Sequence, residues 1–133
     1  MIHLDTSFVV DLLREVARGA EGRASRFLET VPDEELGISV FVACELAPAP
    51  HCRRDPLWSG GASTNSALGF ESNTRMSDSP LYGSLLAALE RGTGRISTMD
   101  LPIATTAIVA GASLITRNAK DFSRVPGLDV VSY

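Results

Sequence analysis

Four carboxylates are the residues of this chain best suited to chemistry. Asp5 closes a short apolar run, Ile2-His3-Leu4, and Glu45 lies about one helical turn beyond a second, Leu36–Val40. Asp100 opens an apolar helix, and Asp121 follows the run Ser113–Thr116 by a short loop. In a sheet of parallel strands, residues at the carboxyl ends of the strands share one edge. Acids gathered at that edge repel one another unless a cation intervenes. Oxygen donors of this kind suit Mg2+ or Mn2+. Such an ion orients water, lowers its pKa and neutralises charge on a phosphodiester. Taken singly, each acid also has a plainer use. Asp100 and Asp121 suit helix N-termini, Asp5 before Thr6-Ser7 suits a turn, and Glu45 suits a solvated helix surface. Spacing alone leaves both readings open.

The elements that must position these acids alternate between strand and helix. Ile2–Leu4 reads as a strand. Phe8 with Leu12 and Val9 with Leu13 stand at i,i+4 spacing, which predicts a helix capped by Thr6 or Ser7. A second helix runs from about Glu21, with Ala24, Phe27, Leu28 and Val31 on one stripe, and Pro32-Asp33 ends it. Leu36–Val40 alternates as a strand, and Ser39 is placed to cap a third helix carrying Phe41, Val42, Glu45 and Leu46. From Pro80 onward Leu81, Leu85 and Leu89 share a helical face, which Gly92 and Gly94 close. The helix after Met99-Asp100 has an inner stripe of Ile103, Ala104, Ala107, Ile108 and Gly111. Pro102 is tolerated in its first turn, where an N–H needs no intrahelical partner. Ser113–Thr116 and Leu128–Val131 complete the strands. Such alternation predicts an α/β fold with a mainly parallel sheet of four to five strands.

Residues 47–79 break the pattern. They contain no Val, Ile, Tyr or Lys and are rich in Pro, Ser, Gly, Asn and Arg. Ala47-Pro48-Ala49-Pro50 should stop the third helix just past Glu45. With few apolar side chains to bury, the segment cannot offset the entropy of its own ordering. It is expected to lack regular helices, to pack weakly, and to leave the sheet without an outer strand.

The remaining bounds are broad. A chain of 133 residues is expected to form a single domain, 1–133, with one core. Its net charge of −4 argues against simple nucleic-acid packaging, though not against an enzyme that holds a polyanion through a cation. Cys44 and Cys52 have neither zinc-site spacing nor a histidine pair beside them, and a reduced, cytoplasmic chain is expected. No signal peptide and no membrane span are expected. His3 reads as a core or surface histidine rather than a ligand. Arg53-Arg54, Trp58 and His51 need no special role.

Four stretches together resemble the PIN-domain ribonucleases of the VapC toxin type: Ile2-His3-Leu4-Asp5-Thr6-Ser7, Glu45-Leu46, Asp100-Leu101-Pro102-Ile103-Ala104, and Thr116-Arg117-Asn118-Ala119-Lys120-Asp121-Phe122. The closing Val125-Pro126-Gly127-Leu128 also fits. The resemblance covers about residues 1–46 and 80–133. The family's acidic quartet falls on Asp5, Glu45, Asp100 and Asp121. Thr6 or Ser7, Thr116 and Asn118 fall where the family places polar residues around it. The resemblance implies a three-layer α/β/α fold and a site where Asp5, Asp100 and Asp121 hold Mg2+ or Mn2+. Glu45 would hold the ion through water or act as base. It also implies endonucleolytic cleavage of RNA by a toxin homodimer, silenced by a small antitoxin encoded beside it. Arg117, Lys120 and Arg124 cluster near this site and are candidates for RNA-backbone contact. Their plainer use is solvation of helix ends.

The chain departs from the family at Pro102 and across residues 47–79, where members carry two helices and an edge strand. A pair of compensating frameshifts or a divergent insert would each give that chemistry. Two rival functions remain. One is a catalytically impaired PIN-fold module that only binds antitoxin or nucleic acid, which an activity assay separates. The other is phosphoryl transfer on an acidic pocket, as in receiver domains. That chemistry needs a lysine after a late strand, and Lys120 suits the role poorly.

Overall fold

The computed structural model describes residues 1–46, 71–72, 79–92 and 96–133. Ile2–Leu4 forms β1, and its three side chains are all buried. A parallel strand buried on both faces must be covered by helices on both sides. β1 pairs with β2 (Leu36–Ile38) along one edge and with β4 (Ser113–Ile115) along the other. Beyond β2 lies β3 (Glu71–Ser72), and beyond β4 lies β5 (Val130–Val131). The order is β3-β2-β1-β4-β5, and every pairing is parallel. The expected α/β class and parallel sheet are therefore present.

Helices join the strands. α1 (Thr6–Arg18) buries Phe8 and Val9 and ends at Gly19, whose φ of 62° is one that a side chain disfavours. α2 (Arg23–Thr30) packs back on α1, with Phe27 edge-on to Phe8 at 6.0 Å between ring centroids. α3 (Val40–Leu46) begins after Ser39, whose Oγ accepts from the Val42 N–H at 3.2 Å. α4 (Ser79–Arg91) buries Leu85 and Leu89 and packs against α5 (Asp100–Val109). The short α6 (Ala119–Phe122) buries Phe122. The core runs through Leu4, Phe8, Ile38, Val42, Leu101, Ile103, Leu114 and Ile115.

Several local expectations are corrected. Asp5, not Thr6 or Ser7, is the N-cap of α1, because the chain leaves β1 directly into the helix and its carboxylate accepts from the Ser7 N–H. β2 stops at Ile38, so Ser39 caps and Val40 already belongs to α3. Gly111 is no part of an inner stripe. It is exposed, with φ 63°, and its N–H donates to Ile108 O as the chain turns out of α5. An outer strand is present: Glu71–Ser72 pairs in parallel with Gly37–Ile38. Backbone pairing needs no apolar side chain, so composition gave no hint of it. The other expectations for 47–79 fall on residues 47–70 and 73–78, outside the described residues.

Candidate active site

In this strand order the chain reverses direction across the sheet at β1. β2 and β3 are laid down on one side of it, β4 and β5 on the other. The crevice at the carboxyl ends of β1 and β4 is thus the switch point where open α/β sheets place ligands. Leu4 stands opposite Ile115 in register, so the next residues, Asp5 and Thr116, emerge side by side. The Asp5 N–H continues the ladder to Ile115 O at 3.0 Å.

Asp5 is buried and its Oδ2 is closely held. It accepts from Ser7 Oγ at 2.6 Å, from Thr116 Oγ1 at 2.7 Å and from the Ser7 N–H at 3.4 Å. The two hydroxyls have little choice of direction. The Arg117 N–H donates to Ser7 Oγ at 3.2 Å, and the Asn118 N–H donates to Thr116 Oγ1 at 2.9 Å. With those acceptor positions taken, each hydroxyl proton is aimed at Asp5. Asn118 serves through its backbone. It is the N-cap of α6 without a side-chain capping bond, and its carbonyl accepts from the Asp121 N–H at 3.1 Å.

Glu45 stands exposed on α3, and Thr6 Oγ1 donates to its Oε2. Asp100 lies in the first turn of α5, behind the N-cap residue Met99. Its carboxyl is pushed up to about 6, first by burial and then by the charges of Asp5, Glu45 and Asp121. Asp100 therefore lies within range of the charges of the other three acids. Asp121 lies in α6, and Arg124 Nη1 is 3.6 Å from its Oδ1. Among the described residues, no three His, Cys, Asp or Glu side chains stand close enough to form a ready-made metal cage. The quartet is a gathering of like charges, not a closed ligand shell. Its donor chemistry, carboxylate oxygen with hydroxyl support, fits a hard divalent cation.

The basic candidates sit at the rim. Lys120 is exposed on α6. Arg117 is about half exposed, and its Nη1 lies 2.9 Å from Asp11 Oδ2. Asp11 and Tyr133 are neighbours of the site that sequence reasoning missed. The Tyr133 hydroxyl shares its proton between Asp11 Oδ2 at 3.1 Å and Ser7 O at 3.3 Å. Burial and then Asp11 push the Tyr133 hydroxyl upward from its ordinary pKa. Asp11 had one faint signal, as a poor helix former four residues after Ser7. Tyr133 had none.

The PIN domain family model matches residues 2–128 of the chain. The chain belongs to the PIN domain family. This PIN domain is 43% identical over 51 residues to Ribonuclease VapC1 of Rickettsia felis, a stretch that spans 38% of each protein. Among solved structures, it is similar to VapBC2 from Rickettsia felis bound to a DNA fragment from their promoter. That likeness has a TM-score of 0.72 and 25% identity over 100% of this chain and 99% of the other. A toxin–antitoxin complex from Klebsiella pneumoniae gives 0.66 and 26%, covering 98% and 96%. VapBC-1 from nontypeable Haemophilus influenzae gives 0.72 and 23%, covering 99% and 98%, and bears on the fold of this PIN domain alone. No described helix of the PIN domain is long and apolar enough to cross a membrane.

Proposed function

We propose that this PIN domain is a divalent-metal-dependent endoribonuclease, the toxin of a toxin–antitoxin pair. What supports the reading is that Asp100 lies within range of the charges of Asp5, Glu45 and Asp121, with Asp5 at the switch point between β1 and β4. The named relative is a ribonuclease and two of the solved relatives are toxin–antitoxin or VapBC complexes, which supports the same reading.

Asp5, Asp100 and Asp121 would hold Mg2+ or Mn2+. Bound there, such an ion supplies an activated water and charge neutralisation at a phosphodiester. The protein's own groups do the rest. Ser7 and Thr116 commit Oδ2 of Asp5 to the scaffold, and no hydrogen bond among the described residues engages Oδ1. Thr6 holds Glu45, which acts as base on water or steadies it. Lys120, Arg117 and Arg124 contact the RNA backbone. A guanidinium has five N–H donors, so Arg117 can serve a phosphate without leaving Asp11.

On α1, Leu13 and Val16 are 42% and 71% exposed, and this apolar strip beside α2 is where we place an antitoxin segment. An antitoxin arginine reaching the acidic pocket would silence it by forked hydrogen bonds. We further propose a cytoplasmic homodimer as the working state. The rival reading, a catalytically impaired module that only binds antitoxin or nucleic acid, draws on the absence of a preformed metal cage among the described residues.

Purified protein incubated with RNA in Mg2+ or Mn2+, with and without EDTA, decides between them. Metal-dependent cleavage that Asp5→Asn and Asp100→Asn abolish is the expected result. Cleavage by Asp100→Asn at the wild-type rate would overturn the site assignment. A folded, inactive wild type that still binds antitoxin would favour the impaired module.

A further inference from the structure

Beside the acid quartet lies a second polar cluster that touches none of the proposed reacting groups. Asp11 sits on α1 one turn after Ser7. Its Oδ2 accepts from Arg117 Nη1 at 2.9 Å and from the Tyr133 hydroxyl at 3.1 Å, while Arg14 Nη1 lies 3.6 Å from Oδ1. The cluster ties three separate parts of the chain together: the start of α1, the turn after β4 and the segment after β5. Tyr133 is fixed from its other side too, its ring edge-on to buried Phe8 with centroids 4.6 Å apart.

What these groups hold is specific. Tyr133 bonds the carbonyl of Ser7, and Arg117 donates its backbone N–H to the hydroxyl of the same residue. That Ser7 hydroxyl donates to Asp5 Oδ2 at 2.6 Å. Asp11 links the side chains of Tyr133 and Arg117, the two residues that grip Ser7. Neither Asp11 nor Tyr133 bonds directly to Asp5, Glu45, Asp100 or Asp121 among the described residues.

We propose that Asp11, Arg117 and Tyr133 form a positioning network that sets the direction of the Ser7 hydroxyl and thereby of the Asp5 carboxylate. The network spans the crevice between β1 and β4, the boundary across which the site must stay in register. Arg117 has a double part in it, its backbone gripping Ser7 and its side chain gripping Asp11. The inference rests on the reading of Asp5 as a metal ligand, and its test includes a readout that does not.

Tyr133→Phe keeps the ring on Phe8 and removes only the hydroxyl, so the fold should persist, as a melting curve would show. Mn2+ affinity, followed by electron paramagnetic resonance, should fall by up to about tenfold, the low end of the loss for a direct outer partner of a metal ligand, because Tyr133 acts on Asp5 through Ser7. RNA cleavage should lose kcat with KM unchanged. Asp11→Asn should do the same, and the double variant should be no worse than either single change. Arg117→Lys should retain more affinity than Arg117→Ala.

Amide hydrogen exchange at Ser7 and Arg117 in metal-free protein provides the independent readout, and it should quicken in both Tyr133→Phe and Asp11→Asn. Wild-type Mn2+ affinity together with unchanged exchange in Tyr133→Phe would overturn the network. If the wild type bound no Mn2+ and cut no RNA, the nuclease reading would fall. The exchange result would then decide the network alone, quickened exchange supporting it and unchanged exchange overturning it.

Discussion

At the scale of single residues, the site is built at a cost to the fold. Asp100 carries a charge that burial and three acidic neighbours oppose. Asp100→Asn removes that opposition, so the metal-free protein should gain stability while losing RNA cleavage by more than about 100-fold, beyond the usual loss for an outer-shell partner. A shift of one pKa unit is worth ~1.4 kcal/mol, but water still screens this half-buried group and leaves a gain of about 1 kcal/mol in all. Calorimetry in EDTA checks it, and an unchanged or lower melting temperature would contradict it. His3 is the other strained residue. It is 1% exposed in β1, and neither ring nitrogen meets a hydrogen-bond partner among the described residues. His3→Leu should raise stability by about 1–2 kcal/mol, since an unsatisfied buried polar group costs about that much. Urea unfolding gives the number. A loss would contradict it.

At the scale of elements, the α1–α2 corner rests on a cap borrowed from another helix. The N-cap of α2 is Gly22, which has no side chain to serve it. Glu15 of α1 fills the role instead, accepting from the Ala24 N–H at 3.1 Å, the Ser25 N–H at 2.9 Å and Ser25 Oγ at 2.6 Å. The Ser25 hydroxyl leads the effects that hold the Glu15 carboxyl down at about 2, against an ordinary 4.5. A depressed carboxyl stabilises the fold above its unfolded pKa and loses that contribution as pH falls through its folded one. The corner should therefore weaken between pH 4.5 and about 2. Glu15→Gln should lower the melting temperature at neutral pH and flatten its decline across that window. A Cβ on Gly22 would lie 2.0 Å from Glu15 Oε1, so Gly22→Ala must push the carboxylate off the helix end. The two changes should not add, because each removes the same cap. Additive losses in a double-variant melt would refute the shared cause. None of this was visible in the sequence. The periodicity of Phe8, Leu12, Ala24 and Phe27 marked the helices, but a cap supplied from nine residues away leaves no local sign.

At the scale of the whole molecule, legibility followed the burial of side chains. Leu4, Ile38, Leu114 and Ile115 are fully buried, and their apolar runs marked three of the strands. Asp5, Asp100 and Asp121 were legible as candidates because each follows or opens such a run, and a parallel order brings such ends to one edge. β3 was missed because pairing of Glu71–Ser72 is a backbone matter, and Tyr133 was missed because its partners lie 122 and 126 residues away. The same long reach shapes how the protein comes into being. Asp5 and Thr116 touch across 111 residues, so the first strand acquires one of its two neighbours only after most of the chain exists. Pairings of such separation fold slowly, since a long loop must close before it is rewarded. A fragment covering residues 1–112 should accordingly bind no Mn2+ and yield quickly to protease, whereas protection in that fragment would argue that β1 is stable without β4. During synthesis, Asp5 and Glu45 leave the ribosome early and Asp121 last of the four. A half-translated chain therefore holds half a quartet. If the completed site cuts RNA, its own messenger is read past Asp121 before the product acquires the means to destroy it.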